Sequence, residues 1–301
     1  MLVGCRRGAG PEQAGPRLWR RADRQRVHGQ SSGSRARLGA LGLRPRKRLS
    51  QSFLDDQRVA ATIVRAARLD DRTEVLEVGP GLGVLTNRLA RVAGRVAAVE
   101  VDPHLADWLR AELQNHNVTV CQDDILKIDP SGLFDRDFVV VANLPYHITS
   151  PALRHLLTVG PPFASRLVVM VQAEVAERIA APPGQMSALA VTIQAQARVS
   201  LVRRVPAAAF YPRPKVDSAV LLLEPLPDSE RSIARTELAE FAELVRAGFT
   251  QPRKTLANSL SDGLDSPKDE VIERLSRAGI DPNARPQALA IEDWVRLFRT
   301  A

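Results

Sequence analysis

The sequence predicts an α/β fold: a Rossmann-like, mostly parallel sheet followed by a small C-terminal helical domain. Three observations carry this expectation. Short β-branched runs alternate with helical segments, a glycine-rich turn follows the first of those runs, and after Pro225 and Pro227 the periodicity becomes purely helical. The chain has 301 residues, enough for one substantial core and a smaller second one.

In chain order, residues 1–43 are rich in Arg, Gly and Ser and lack apolar periodicity, so they are expected to form a disordered basic tail. An Arg-rich, acid-poor start also fits a transit peptide or a mis-assigned start codon. A chain beginning at Leu43 is therefore expected to keep its stability. From Gln57 to Ala67, Val59, Ile63, Val64 and Ala67 recur at helical spacing. Strands are expected at Val75–Val78, Val96–Val99, Val118–Cys121, Val139–Val141, Leu167–Val171 and Ala219–Leu223. Helices are expected from Val84 to Ala90, and later over Glu237–Gly248, Arg253–Leu260, Lys268–Ala278 and Ile291–Phe298. The resulting division is a tail at 1–43, a sheet domain at 44–226 and a helical domain at 227–301.

Hydrophobic residues make up 45% and charged residues 25%, values ordinary for a soluble protein. No run reaches the roughly 20 apolar residues that cross a bilayer, so no membrane partner is expected and the cytoplasm is the expected location. Cys5 and Cys121 are too few for a disulfide framework or a zinc site, and no metal is expected. The net charge of +8 is uneven: residues 1–50 hold 13 Lys and Arg against 2 acids, the remainder 29 against 32. Any nucleic-acid surface on the body must then be a local patch, such as Arg203, Arg204, Arg213 and Lys215.

The chemistry concentrates at four places. Glu77-Val-Gly-Pro-Gly-Leu-Gly83 follows a strand and precedes a helix; glycines there let the backbone turn sharply and approach a ligand. Glu100, about 20 residues on at the end of the next strand, is placed to accept both ribose hydroxyls of a nucleoside cofactor. Those two features suit a nicotinamide dinucleotide and S-adenosylmethionine alike. Asp124, after the third strand, can accept from an adenine amine. After the fourth comes Asn143-Leu144-Pro145-Tyr146, where an Asn oxygen and a backbone carbonyl at a proline turn accept two hydrogen bonds from an aromatic amine while Tyr146 stacks on the ring. Such a device aims an adenine N6 lone pair at a methyl donor, and hydride transfer has no use for it.

With those residues placed, the chain from about Arg46 onward resembles the KsgA/RsmA family of rRNA adenine N6,N6-dimethyltransferases. Six ordered blocks carry the resemblance: Arg46–Leu54, Glu77–Gly83, Asn143–Tyr146, Val171–Arg178, Phe210–Ser218 and Gln251–Ser259. The resemblance implies a class I methyltransferase sheet, S-adenosylmethionine as cofactor and a monomer acting on 16S rRNA in the small ribosomal subunit or its precursor. The implied reaction is dimethylation of two adjacent adenosines near the 3′ end of that RNA during subunit biogenesis. It further implies cofactor contacts from Ser52, Leu54, Gly79, Glu100, Asp124 and Asn143, and a target adenine held by Asn143, Leu144, Pro145 and Tyr146 with Phe210 on its other face. Two positions depart from the family pattern: Ser52 replaces a usual Asn, leaving a shorter side chain that can instead cap the next helix, and Pro252 replaces a usual basic residue. The alternatives are a large-subunit (23S) dimethyltransferase of the macrolide-resistance type and a ribosome-assembly factor acting mainly by binding.

Overall fold

A computed structural model describes residues 33–46, 49–113 and 117–300. The expectation of disorder for residues 1–32 lies outside the described residues. The described residues divide into two compact units, one running up to residue 173 with 202–222, the other comprising 174–201 and the residues from 223 on. The second thus takes in residues 174–201 besides the helical segment expected from 227 onward.

The first described element of the first unit is α1 (Ser34–Ala40), which corrects the expected disorder of residues 33–43. Its Leu38 and the following Leu41 are 3% and 8% exposed and join a cluster with Phe53, Leu82, Leu105, Trp108 and Leu109. Ser34 ties the start of the helix to Asp55 Oδ1 through its backbone N–H at 2.8 Å and its hydroxyl at 2.6 Å. Two leucines three residues apart form the narrowest of apolar stripes, and they suffice because a preformed apolar surface receives them.

Next come β1 (Phe53–Leu54) and α2 (Gln57–Ala67), whose start is fixed by Asp56 accepting from the N–H groups of Arg58 and Val59. Val59, Ile63 and Ala67 of the predicted face are fully buried together with Ala60, while Val64 is only partly buried. The sheet is built from β2 (Glu74–Val78), β3 (Arg95–Glu100), β4 (Val118–Gln122), β5 (Phe138–Asn143), β6 (Ala164–Gln172), β7 (Ala197–Val205) and β9 (Ser218–Pro225), while β8 (Phe210–Tyr211) pairs antiparallel with β1. The strand order is β4-β3-β2-β5-β6-β9-β7, with β4 through β6 parallel. The central strands read as continuous apolar runs, as strands covered on both faces must: in β5 every residue from Phe138 to Ala142 is buried.

Order reversal between β2 and β5 opens a crevice at the carboxyl ends of the strands, the usual ligand position in such sheets. Two helices flank it. The expected Val84–Ala90 helix is the single turn α3 (Thr86–Leu89), because Gly83 at φ +73 delays its start. After β3 comes α4 (Pro103–Glu112), capped by Asp102 with proline at its first position. After β5, α5 (Thr149–Thr158) returns the chain to β6.

The second unit holds α6 (Ala173–Ile179, from its second residue), α7 (Ala188–Gln194), α8 (Leu238–Gly248), α9 (Leu256–Leu264), α10 (Lys268–Arg277) and α11 (Ile291–Arg299). Its core gathers Met186, Ala190 and Val191 with Phe241, Val245, Leu256, Leu275 and the fully buried Trp294. Helix α9 starts at Leu256 rather than Arg253 because residues 251–254 close a turn, Lys254 N–H donating to the Gln251 carbonyl at 2.9 Å. No helix among the described residues is long and apolar enough to cross a membrane.

Candidate functional site

A cavity of about 320 Å³ opens in the first unit where β2, β3 and β5 end. It brings together Ser52, Leu54, Gly79, Glu100, Asp124, Asn143, Leu144, Pro145 and Tyr146, nine of the ten residues predicted from sequence. Phe210 does not line it. That ring is 5% exposed, stands opposite Leu54 in the β1–β8 pair and packs in the core with Val205 and Val220. Residues absent from the sequence expectation also form the wall, among them Gln51, Phe53, Val101 and His147. Val101 is 47% exposed although apolar, and the sequence signal for it is its place between Glu100 and Asp102 just past the end of β3.

The glycine turn shapes one side. Gly79, Gly81 and Gly83 have φ of +67°, +57° and +73°, the left-handed region that side chains resist. A Cβ on Gly81 would meet the Phe53 ring at 3.0 Å, so this turn and the Leu49–Leu54 wall approach as closely as they do only because of a glycine. Gly79 N–H donates to the Val99 carbonyl at 3.0 Å and fixes the turn to the neighbouring strand.

Glu100 is 5% exposed, and each carboxylate oxygen accepts one backbone N–H, Oε2 from Gly81 at 3.1 Å and Oε1 from Asp102 at 2.9 Å. Burial pushes its pKa up, and those two N–H groups oppose the rise. Every oxygen keeps a lone pair for a ligand hydroxyl. Behind the turn, Glu77 is 1% exposed; burial drives its carboxyl up to about 8, opposed mainly by the Thr86 side chain. Asp124 Oδ1 accepts from Leu126 N–H at 3.1 Å.

Asn143 is the best oriented group. Its Nδ2 donates to the Ser52 carbonyl at 3.1 Å, which sets the amide so that Oδ1 is the atom left to accept. Leu144 N–H is held by the Met170 carbonyl at 3.1 Å, and with Pro145 next its own carbonyl accepts nothing among the described residues. The Tyr146 hydroxyl shares a 2.9 Å hydrogen bond with Ser218 Oγ, which pins the ring, and burial raises its pKa. Ser52 caps no helix. Its hydroxyl donates to the Pro212 carbonyl at 2.9 Å, and Asp56 caps α2 instead.

A family model described as ribosomal RNA adenine dimethylase matches residues 42–301. The chain belongs to that family. Ribosomal RNA small subunit methyltransferase A of Dehalococcoides mccartyi is 43% identical over 258 residues, covering 85% of this chain and 88% of that protein. The protein of the same description from Moorella thermoacetica is 42% identical over 277 residues, covering 86% and 93%. Among solved structures, a dimethyladenosine transferase from Plasmodium falciparum superposes with a TM-score of 0.68 at 26% identity, covering 81% of this chain and 95% of that one. The 23S rRNA methyltransferase ErmE superposes with a TM-score of 0.65 at 31% identity, covering 82% and 98%.

Proposed function

We propose that this chain dimethylates N6 of two adjacent adenosines near the 3′ end of 16S rRNA, as a cytoplasmic monomer using S-adenosylmethionine during small-subunit biogenesis. The observation that carries the chemistry is the Asn143 amide, fixed by the Ser52 carbonyl with Oδ1 left to accept. The relatives named for the small subunit are 42–43% identical, against 31% for the large-subunit enzyme, and this favours the 16S target.

The residues fit the cofactor. Glu100 keeps two lone pairs for the ribose hydroxyls, Asp124 retains an oxygen for the adenine amine, and the side-chain-free turn at Gly79–Gly83 lets backbone approach the remainder. S-adenosylmethionine, when bound, supplies an electrophilic methyl group. Asn143 Oδ1 and the Leu144 carbonyl accept from the two N6 hydrogens of a flipped adenine and turn its lone pair out of conjugation, and Tyr146 stacks on the ring. Positioning supplies the rate, because the methylated nitrogen is acidic enough to lose its extra proton to water. Phe210, behind Leu54, would contribute to the second face only after moving from its core position. Arg213 and Lys215, both exposed, are suited to hold RNA phosphate.

Asn143→Ala tests this. Turnover on small subunits should fall about 100-fold or more, while subunit affinity, which rests on phosphate contacts, stays near that of the parent. Cofactor affinity is measured alongside, and the assignment requires that its loss be smaller. Mass spectrometry of rRNA from cells with and without the gene identifies the target: dimethyladenosine lost from 23S rather than 16S would select the large-subunit alternative, and a parent chain that binds subunits without methylating them would select the assembly-factor role.

A further inference from the structure

The wall Leu49–Leu54 is fastened from behind at two places. The first fastening is Asp102, 3% exposed. Its Oδ2 accepts from Gln51 Nε2 at 3.0 Å, its Oδ1 pairs with Arg46 Nη1 at 3.2 Å, and its N–H donates to Glu100 Oε1. Arg46 N–H in turn donates to Gln51 Oε1 at 2.8 Å, closing a small ring of polar contacts. The charge that Asp102 offers the wall thus sits on the same short segment that orients the ribose-facing acid. The second fastening is α1. Leu38 and Leu41 pack behind Phe53, Leu82 and Leu105, three residues whose other side faces the cavity.

We propose that Asp102 and Leu38 are positioning residues that hold the Leu49–Leu54 wall shut against the glycine turn, and so set how long a bound nucleoside cofactor is retained. This rests on the cofactor assignment above. The wall contributes Ser52, whose carbonyl orients Asn143, so unfastening it loosens the cofactor pocket and the amine acceptor together. Because one fastening is an ion pair with a side chain 30% exposed, cofactor release should quicken with salt, whereas the apolar fastening carries no salt dependence.

The test uses the full chain with S-adenosylhomocysteine as probe, its dissociation followed by stopped-flow tryptophan fluorescence, since Trp108 lies in the same cluster as Leu38. Leu38→Ala should release the probe about ten-fold faster, with Leu38→Met restoring the parent rate. Arg46→Met should also release it faster and should lose the salt dependence seen in the parent. If both variants melt earlier yet release the probe at the parent rate in the folded protein, the fastenings are only structural and the proposal is overturned. Should Leu38→Ala fail to fold, Arg46→Met decides alone: a parental rate and parental salt dependence overturn the proposal. A parent chain that binds no S-adenosylhomocysteine would instead overturn the cofactor assignment.

Discussion

The Ser52 hydroxyl is committed to the Pro212 carbonyl, while its own carbonyl holds Asn143. What the site draws from this position is main chain, which any residue supplies. Ser52→Ala should therefore keep S-adenosylhomocysteine affinity within about three-fold in calorimetry, and a loss beyond ten-fold (about 1.4 kcal/mol) would show that the hydroxyl reaches the ligand. Glu77 makes a different prediction. With a native pKa of about 8 against an ordinary 4.5, the folded chain keeps a proton that the unfolded chain gives up, so stability falls as pH rises through that window and levels off above it. Glu77→Gln should flatten the decline in urea midpoint between those pH values, and an unchanged slope would mean the carboxyl is ionised in the fold. The places of Asn143, Glu100 and Asp124 at the cavity were legible because strand ends and turn residues locate them. Phe210 was not: a motif names the aromatic, but only strand pairing with Leu54 shows that its ring is in the core.

Among the elements, those with strong period were legible and those made by context were not. Central strands β2, β3, β5 and β6 are apolar runs that can only be buried. Strand β7 lies at the end of the sheet order, and its exposed Leu201 and Val202 beside Arg203 and Arg204 break the alternation that would mark it. Helix α1 escaped because two leucines amid arginines carry no periodicity until Phe53 and Trp108 supply the surface they cover. Helix α9 ends in a Schellman arrangement, with Asp265 at φ +51° and Ser266 N–H donating to the Ser261 carbonyl at 3.1 Å. A glycine there avoids the left-handed penalty, which aspartate tolerates only in part. Asp265→Gly should raise the stability of the second unit by about 0.5–1 kcal/mol, read by chemical denaturation, and a lower midpoint would mean that the aspartate side chain contributes more than its backbone costs.

For the whole molecule, the uneven charge and the two-unit division make separable predictions. Residues 1–32 carry seven arginines, and α1 follows them. A chain beginning at Gly33 should keep the parent's melting temperature and S-adenosylhomocysteine affinity, whereas one beginning at Leu43 should lose both, with affinity down by about ten-fold. Equal behaviour of the two shortened chains would return α1 to the status of a dispensable tail. The discontinuity of the second unit bears on synthesis. Residues 174–201 emerge from the ribosome before residues 223–300, which supply most of their core partners. Met186, Ala190 and Val191 must wait for Phe241 and Trp294, while β2 to β6, which frame the cavity, are already complete. A fragment ending near residue 222 should therefore fold its first unit while it still exposes an apolar helical segment suited to capture by a chaperone.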